Sequence, residues 1–315
     1  MSRVLKIATR KSALALWQAN HVKSLLEQGR ADIEVRLVPI VTQGDRILDK
    51  PLAKIGGKGL FLKELEMALL SGEADLAVHS MKDVPAGATD GLALDVVLPR
   101  ANPFDALVCK DANSLAAMPA GNLVGTSSLR RQCQLKAQRP DLRVADLRGN
   151  VDTRLRKLDE GQYDAIILAC AGLERLGMAD RITQQLDPPG FLPASTQGII
   201  CLQCRSGDLV VWSQISYLND ESTSIQARVE RTVAFELDGS CQLPLAVYAH
   251  LPNPKSGDLM VEAMVGYPDG SSIVRCSQSG NSHQPEILGR KLAQQLLNSG
   301  AREIIDSLQY SRPVK

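Results

Sequence analysis

The sequence predicts an α/β protein with more than one domain, and three observations predict it. From Leu5 to Leu98, strand-like and helix-like patterns alternate. A second alternating block runs from residue 105 to 176. From Asn219 the pattern changes to one helix, three alternating strands and a closing helix. Strand–helix alternation implies largely parallel sheets with helices on their faces, whereas the last block reads as a small α+β domain with a three-stranded antiparallel sheet. A length of 315 residues with 44% hydrophobic residues suffices for two or three cores.

In the first block the pattern predicts a strand at 5–9, a helix at 12–28, a strand at 34–42, a helix at 60–71 and strands at 75–80 and 92–98. Residues 3–26 hold five Lys or Arg and no acid, the charge of a transit peptide. Strand periodicity over Val4–Thr9 and an amphipathic helix over Ser12–Glu27 favour folded structure instead, and no secretory apolar region precedes them. Asp75 to Pro85 is an apolar run that ends in Ser80, Lys82 and Asp83. It reads as a half-buried strand, and Pro85 biases Val84 towards extended backbone, so those three residues fall at or just past its C-terminal end. Open α/β sheets bind ligands at that edge. A solvated surface pair is the common alternative for Lys82 and Asp83. The glycine-rich, basic stretch from Lys50 to Gly59 could be an anion cradle or a lid, but it lacks the spacing of a Walker loop.

The second block predicts strands at 105–110, 123–126, 143–147 and 163–169 with helices at 128–138, 151–160 and 171–176. Its most informative piece is Gly125-Thr-Ser-Ser-Leu-Arg-Arg-Gln. Thr126, Ser127 and Ser128 at a helix start can be ordinary N-caps. Arg130 and Arg131 in the first turn are less ordinary, because the helix dipole disfavours cations there by about 0.3–1 kcal/mol. Something negative is therefore expected to be bound nearby. Leu147-Arg-Gly-Asn-Val-Asp-Thr-Arg repeats the arrangement, with Arg148 and Arg154 flanking another helix start. Residues 130–157 carry seven Arg and two Lys against three Asp, which points to a small anionic ligand. A net charge of +1 and 3% aromatic residues argue against a nucleic-acid partner.

Asp187-Pro-Pro-Gly marks a break, after which Ile199–Arg205 reads as a strand. The last block predicts a helix at 220–237, strands near 242–251, 258–267 and 271–277, and a helix at 285–308. Cys241 stands at its first turn, in Asp238-Gly-Ser-Cys-Gln-Leu-Pro. A lone cysteine is usually a small buried hydrophobe, yet a glycine-containing turn is exposed enough for modification. The seven cysteines show no repeated spacing and read as cytosolic thiols. Cys201-x-x-Cys204 lacks a second pair, and strand periodicity would put its two thiols on opposite faces, so no metal site is expected. No run approaches the roughly 18 apolar residues of a membrane span, so a soluble, cytoplasmic protein without a membrane partner is expected.

Taken together, Ile7-Ala-Thr-Arg-Lys-Ser-Ala-Leu-Ala, Val78-His-Ser-Met-Lys-Asp-Val-Pro, Gly125-Thr-Ser-Ser-Leu-Arg-Arg-Gln, Leu147-Arg-Gly-Asn-Val and Gly239-Ser-Cys-Gln-Leu-Pro resemble the hydroxymethylbilane synthase, or porphobilinogen deaminase, family. The resemblance spans nearly the whole chain. It implies three domains: 1–99 with 197–218, and 100–196, both doubly wound and similar to type 2 periplasmic-binding proteins, and 219–315, a small α+β domain carrying a cofactor. It also implies a transferase that joins four porphobilinogen molecules into hydroxymethylbilane with loss of four ammonia, acting as a monomer. The implied cofactor is dipyrromethane, one per chain, attached by a thioether at Cys241.

By the same resemblance Asp83 is the catalytic carboxylate. Arg10, Lys82, Arg130, Arg131, Arg148, Arg154 and Arg175 would hold the acetate and propionate arms of the pyrroles. Gln18, Lys58, Ser80, Thr126, Ser127, Ser128, Asn150 and Gln197 would complete the cofactor and substrate contacts. The chain departs from the family pattern at Ala194-Ser-Thr, where a glycine-rich run is usual, at Gln203, where Glu is frequent, at Ser240, where a second Gly is usual, and over Arg205–Thr223. Two rival readings remain at this point. One is a non-catalytic anion-binding module, which leaves Cys241 without a role. The other is a phosphate-handling enzyme built on Gly56-Gly-Lys-Gly, which lacks any accompanying fingerprint.

Overall fold

The computed structural model describes residues 3–42, 62–87, 89–237, 243–253 and 256–310. The chain divides into two compact units, residues 1–101 with 198–224 and residues 102–197 with 225–315. Lys58, the rest of the glycine-rich stretch and Cys241 lie outside the described residues.

The first unit is built on a five-stranded sheet. Its elements are β1 (Arg3–Arg10), α1 (Ala13–Gly29), β2 (Ile33–Ile40), α2 (Lys63–Leu70), β3 (Leu76–Ser80) and β4 (Leu92–Val97), each within a few residues of the predicted segment. The strand order is β2-β1-β3-β10-β4, where β10 is Ile200–Arg205. β1 runs parallel to β2 and β3, and β10 runs antiparallel to β3 and β4. The α1 stripe of Ala19, Val22 and Leu26 packs with Leu76 and Val78 on one face, while Leu65, Ala68 and Leu69 of α2 pack with Ala77 on the other. β3 is therefore buried on both faces from Leu76 to His79. This corrects the half-buried strand read from its pattern: a central strand with helices on both sides leaves no face for water.

The second unit contains two sheets. The first has β5 (Asp105–Cys109), β6 (Leu123–Gly125), α3 (Leu129–Gln138), β7 (Arg143–Ala145), α4 (Val151–Asp159), β8 (Ala165–Ala169), α5 (Cys170–Arg175) and β9 (Gln184–Leu186). Its order, β7-β6-β8-β5-β9, repeats the pattern of the first unit, with β6 parallel to β7 and β8 and with β5 antiparallel to β8 and β9. In both sheets the antiparallel strand is the one entered directly after the chain leaves the other unit. Gly125 allows a close approach here, since a Cβ on it would lie 2.8 Å from the Tyr163 ring.

Residues 209–215 form a helix, α6 (Leu209–Ile215), that the apolar Val210-Val-Trp pattern did not announce; Asp208 caps it by accepting from the Val211 N–H at 3.0 Å. α7 (Glu221–Glu236) follows. The three-stranded antiparallel sheet expected near the C-terminus is β11 (Leu245–His250), β12 (Asp258–Gly266) and β13 (Ile273–Asn281). Its core joins Val229 and Val233 of α7 to Val247, Val261 and Val265 and to Leu288, Leu292 and Leu296 of α8 (Pro285–Leu296). The single helix expected over 285–308 is interrupted: Gly300 adopts φ 107°, and α9 (Arg302–Tyr310) starts afresh beyond it. Only glycine takes that backbone without strain.

Candidate active site

In the first unit the expected residues gather at the C-terminal edge of the parallel strands. β1 delivers Arg10, β3 delivers Ser80, and a 3-10 turn over Met81–Asp83 carries Lys82 and Asp83 just beyond. The turn is fixed at both ends, because the Met81 N–H donates to the Ile199 carbonyl at 2.9 Å and the Val84 N–H donates to the Met81 carbonyl at 3.0 Å. Met81 is buried beneath it and Asp83 is exposed. A hollow of about 80 Å³ is lined by Arg10, Ser12, Gln18, His79, Ser80 and Asp83 among others. The buried Gln18 amide reaches across from α1 to the Ser80 hydroxyl, Nε2···Oγ 2.8 Å. α1 presents its N-terminus to the hollow, capped by Ser12 and with no acid in its first turn, so the local field favours an anion.

His79, on the face of β3 covered by α2, was not singled out by the sequence reading. Its Nε2 lies 3.0 Å from Gln203 Oε1 on β10, and Gln203 Nε2 donates to Glu66 Oε1 on α2 at 3.1 Å. Burial pushes the imidazole down to about 4; the bond to Gln203 and the charges of Glu66 and Asp83 oppose that shift, and Arg10 adds to it. A histidine inside an apolar strand was the available signal, since a buried polar side chain needs a partner.

In the second unit the expected residues again follow the parallel strands. Thr126, Ser127 and Ser128 come directly after β6, and Arg148 and Asn150 after β7. Their side chains do local work: Thr126 Oγ1 accepts from the Ser128 N–H, Ser127 Oγ donates to the Leu147 carbonyl at 3.0 Å, Ser128 caps α3 and Asn150 caps α4 by accepting from the Thr153 N–H at 2.8 Å. Arg154 Nε donates to the Gly149 carbonyl at 2.8 Å, which ties α4 to its own entry loop. Arg175 ends α5, where burial pushes its guanidinium down to about 10 against the opposing charge of Glu174.

Arg130 and Arg131 have the negative partner that their position demanded, and it belongs to the chain. Asp105, fully buried at the start of β5, receives Arg130 Nη1 at 2.7 Å and Arg131 Nη2 at 2.6 Å. Gln197 Nε2 donates to the same carboxylate at 3.0 Å. Burial alone would raise the Asp105 carboxyl, but the two guanidinium charges hold it well below the usual carboxylate range. Two buried cations facing one buried anion leave an excess of positive charge. Asp105 was missed in the sequence because it stands directly before the apolar Ala106-Leu-Val and far in sequence from the arginines.

Fold and site together define an α/β protein whose first unit sets an exposed carboxylate in one hollow with a guanidinium, at the C-terminal edge of its parallel strands. Residues 5–212 match the family model described as porphobilinogen deaminase, dipyromethane cofactor binding domain, and residues 224–298 match porphobilinogen deaminase, C-terminal domain. The chain belongs to the porphobilinogen deaminase family: it is a transferase of porphyrin and haem biosynthesis, with hydroxymethylbilane synthase activity and dipyrromethane as its cofactor. Among solved structures it is similar to the periplasmic VFT2 domain of Bordetella pertussis BvgS, at 17% identity over 70% of this chain and 90% of that one, TM-score 0.42. It is similar also to the probable amino-acid transporter binding protein YtmK from Bacillus subtilis, at 10% identity over 71% and 95%, TM-score 0.44. The aliphatic sulphonate binding protein SsuA from Escherichia coli matches at 14% identity over 77% and 73%, TM-score 0.39.

The residues fit the cofactor. A dipyrromethane offers pyrrole N–H donors and carboxylate arms. The first unit supplies an exposed carboxylate in one hollow with a guanidinium and a hydroxyl–amide pair. No helix among the described residues is long and apolar enough to cross a membrane.

Proposed function

We propose that this chain joins four porphobilinogen molecules head to tail into hydroxymethylbilane, releasing four ammonia, with Asp83 as the catalytic group and Cys241 as the point of thioether attachment for the cofactor. The observation that carries the reading is the setting of Asp83: an exposed carboxylate on a pinned turn, in a hollow shared with Arg10, Gln18 and Ser80. Porphobilinogen that loses ammonia becomes an azafulvenium cation. The Asp83 carboxylate, placed against the pyrrole N–H, stabilises that charge; the amine leaves as ammonia from its protonated form, and the carboxylate can accept the proton released when the next pyrrole carbon bonds.

Arg10 grips an acetate or propionate arm in fork geometry, and Lys82 acts on another as a point charge. Arg148, Arg154 and Arg175 serve further arms, and Arg130 and Arg131 contribute the positive charge that Asp105 leaves uncompensated. Each charge-assisted bond contributes about 1.5–3 kcal/mol, enough in sum to keep the substrate-derived chain bound between additions. When bound, the dipyrromethane supplies the pyrrole carbon on which the product is built. Gln18, Ser80, Thr126, Ser127, Ser128, Asn150 and Gln197 fix the geometry of the charged groups, and Lys58 adds a cation. A net charge of +1 supports a small-molecule substrate over a nucleic acid, and the same reading makes the chain a cytoplasmic monomer.

The test is the intact mass of the denatured protein. It should exceed the sequence mass by two pyrrole units, and Cys241→Ser should remove the excess. An unmodified mass in a preparation that turns over porphobilinogen would refute the attachment.

A further inference from the structure

The hydrogen bonds around His79 run in one direction. A carboxylate can only accept, so Glu66, which also receives the Thr89 hydroxyl at 2.9 Å, draws the nitrogen of the Gln203 amide to itself. The amide oxygen is thereby turned to the imidazole, which must donate from Nε2. The ring is nearly sealed from water, which disfavours its charged form, and a neutral ring that donates from Nε2 keeps Nδ1 as an acceptor. His79 and Gln203 share one face of the sheet as diagonal neighbours, since His79 pairs with Cys201 and Ala77 with Gln203. Both side chains are nearly sealed from water, at 7% and 4% exposure. His79 is nevertheless among the residues that line the hollow with Asp83 and Arg10, and the backbone from His79 leads straight into the turn that presents Asp83.

We propose that His79 is a positioning residue of the Asp83 site, locked by Glu66 and Gln203 as the neutral Nε2–H tautomer. The inference rests on the assignment of Asp83 made above. A neutral ring leaves the Asp83 carboxylate directed to the pyrrole N–H. An imidazolium in the same place would pair with that carboxylate and compete with the substrate cation for it. Among the described residues, the charged and polar groups that act on the ring are Gln203 from β10, Glu66 from α2, Asp83 from the turn and Arg10 from β1. The hydrogen bonds fix the proton on Nε2, and burial, which lowers the affinity of the ring for a second proton, keeps it neutral.

The chain has four histidines, so the ring states can be read individually by long-range 15N–1H correlation spectra of the holoenzyme, with His79→Asn assigning the signal. The expected result is a neutral Nε2–H ring that does not titrate between about pH 5 and 8. Gln203→Leu removes the acceptor. It should produce a mixture of tautomers and lower kcat for porphobilinogen by about tenfold to a hundredfold, with little change in KM. Gln203→Glu still accepts from Nε2–H and should keep the tautomer and most of kcat. A ring that titrates in that range, or carries its proton on Nδ1, overturns the proposal. So does a Gln203→Leu variant whose ring becomes mixed while kcat stays normal, or whose kcat falls equally in Gln203→Glu with the tautomer retained. Absence of turnover in the unsubstituted protein would instead remove the Asp83 chemistry, and the spectra would still decide the state of the ring.

Discussion

Arg131 grips a single oxygen of Asp105 twice, with Nε at 3.0 Å and Nη2 at 2.6 Å from Oδ1, while Arg130 takes the other oxygen. All three side chains are buried, so the carboxylate is the main compensation for two desolvated cations. Asp105→Ala should cost about 3–5 kcal/mol, the usual result of stranding a buried charge by removing its partner. The shift in the urea midpoint measures this; a loss below about 1 kcal/mol would mean that water or another group takes over the arginines. The sign of the pH dependence also follows. A carboxyl held below its unfolded value stabilises the fold above about pH 4, the unfolded value, and that contribution fades only as pH falls further.

Asp83 is exposed, and its backbone is held by bonds that do not involve its side chain. Asp83→Ala should therefore change stability by no more than about 0.5 kcal/mol. Turnover of porphobilinogen should drop about 10²–10⁴-fold, the range for a positioned acid or base. Comparing initial rates with thermal melting separates the two effects. Normal turnover would move the chemistry to another residue.

His79 gives a pH effect in the same direction as Asp105, separable because its window lies higher. Its folded-state value, about 4, lies below that of an exposed histidine, so the unfolded chain binds the proton first. Its contribution to stability is complete above about pH 6.5 and declines as pH falls from there towards 4, by up to a few kcal/mol. Urea unfolding at stepped pH should show this loss in the parent protein and a flatter profile over the same window in His79→Asn. Parallel profiles would place the acid sensitivity elsewhere.

The order of strands and helices was legible because period-two and helical patterns alternate cleanly through both α/β blocks, and the position of Ser80, Lys82 and Asp83 at or just past the end of β3 followed from Pro85. What was not legible was decided by tertiary contact. β9 has three residues, Gln184–Leu186, and exists because β5 offers an edge to pair with. No element was read over α6, whose Val210-Val-Trp is merely apolar, and the Gly207-Asp208 boundary with its cap is the local mark of a helix. The arginine pair pointed to a bound negative group, and the negative group that the structure shows beside it is a side chain of the chain itself. That the partner is Asp105 could not be read, since the contact spans 25 residues and depends on the crossing of β5 beside β8. The relay from His79 to Glu66 likewise joins three elements distant in sequence.

Thr196 is the one non-glycine residue with positive φ among those described, at 57°, and it lies in the segment where the family usually carries a glycine-rich run. A β-branched residue in that conformation stores about 1–3 kcal/mol of strain. The strain is held by Glu230, a fully buried carboxylate that accepts from the Thr196 N–H and, at 2.7 Å, from the Ala249 N–H on β11. Thr196→Gly keeps the N–H and its acceptor, releases the strain and gives up the hydroxyl bond to the Ser195 carbonyl. That bond contributes about 1 kcal/mol, so the net change should be a stabilisation of about 0.5–1.5 kcal/mol. Glu230→Leu leaves both N–H groups without their buried acceptor and should cost at least about 2 kcal/mol. Urea midpoints of the two variants decide the matter: a Thr196→Gly midpoint at or below that of the parent would show that packing of the threonine side chain outweighs the backbone strain.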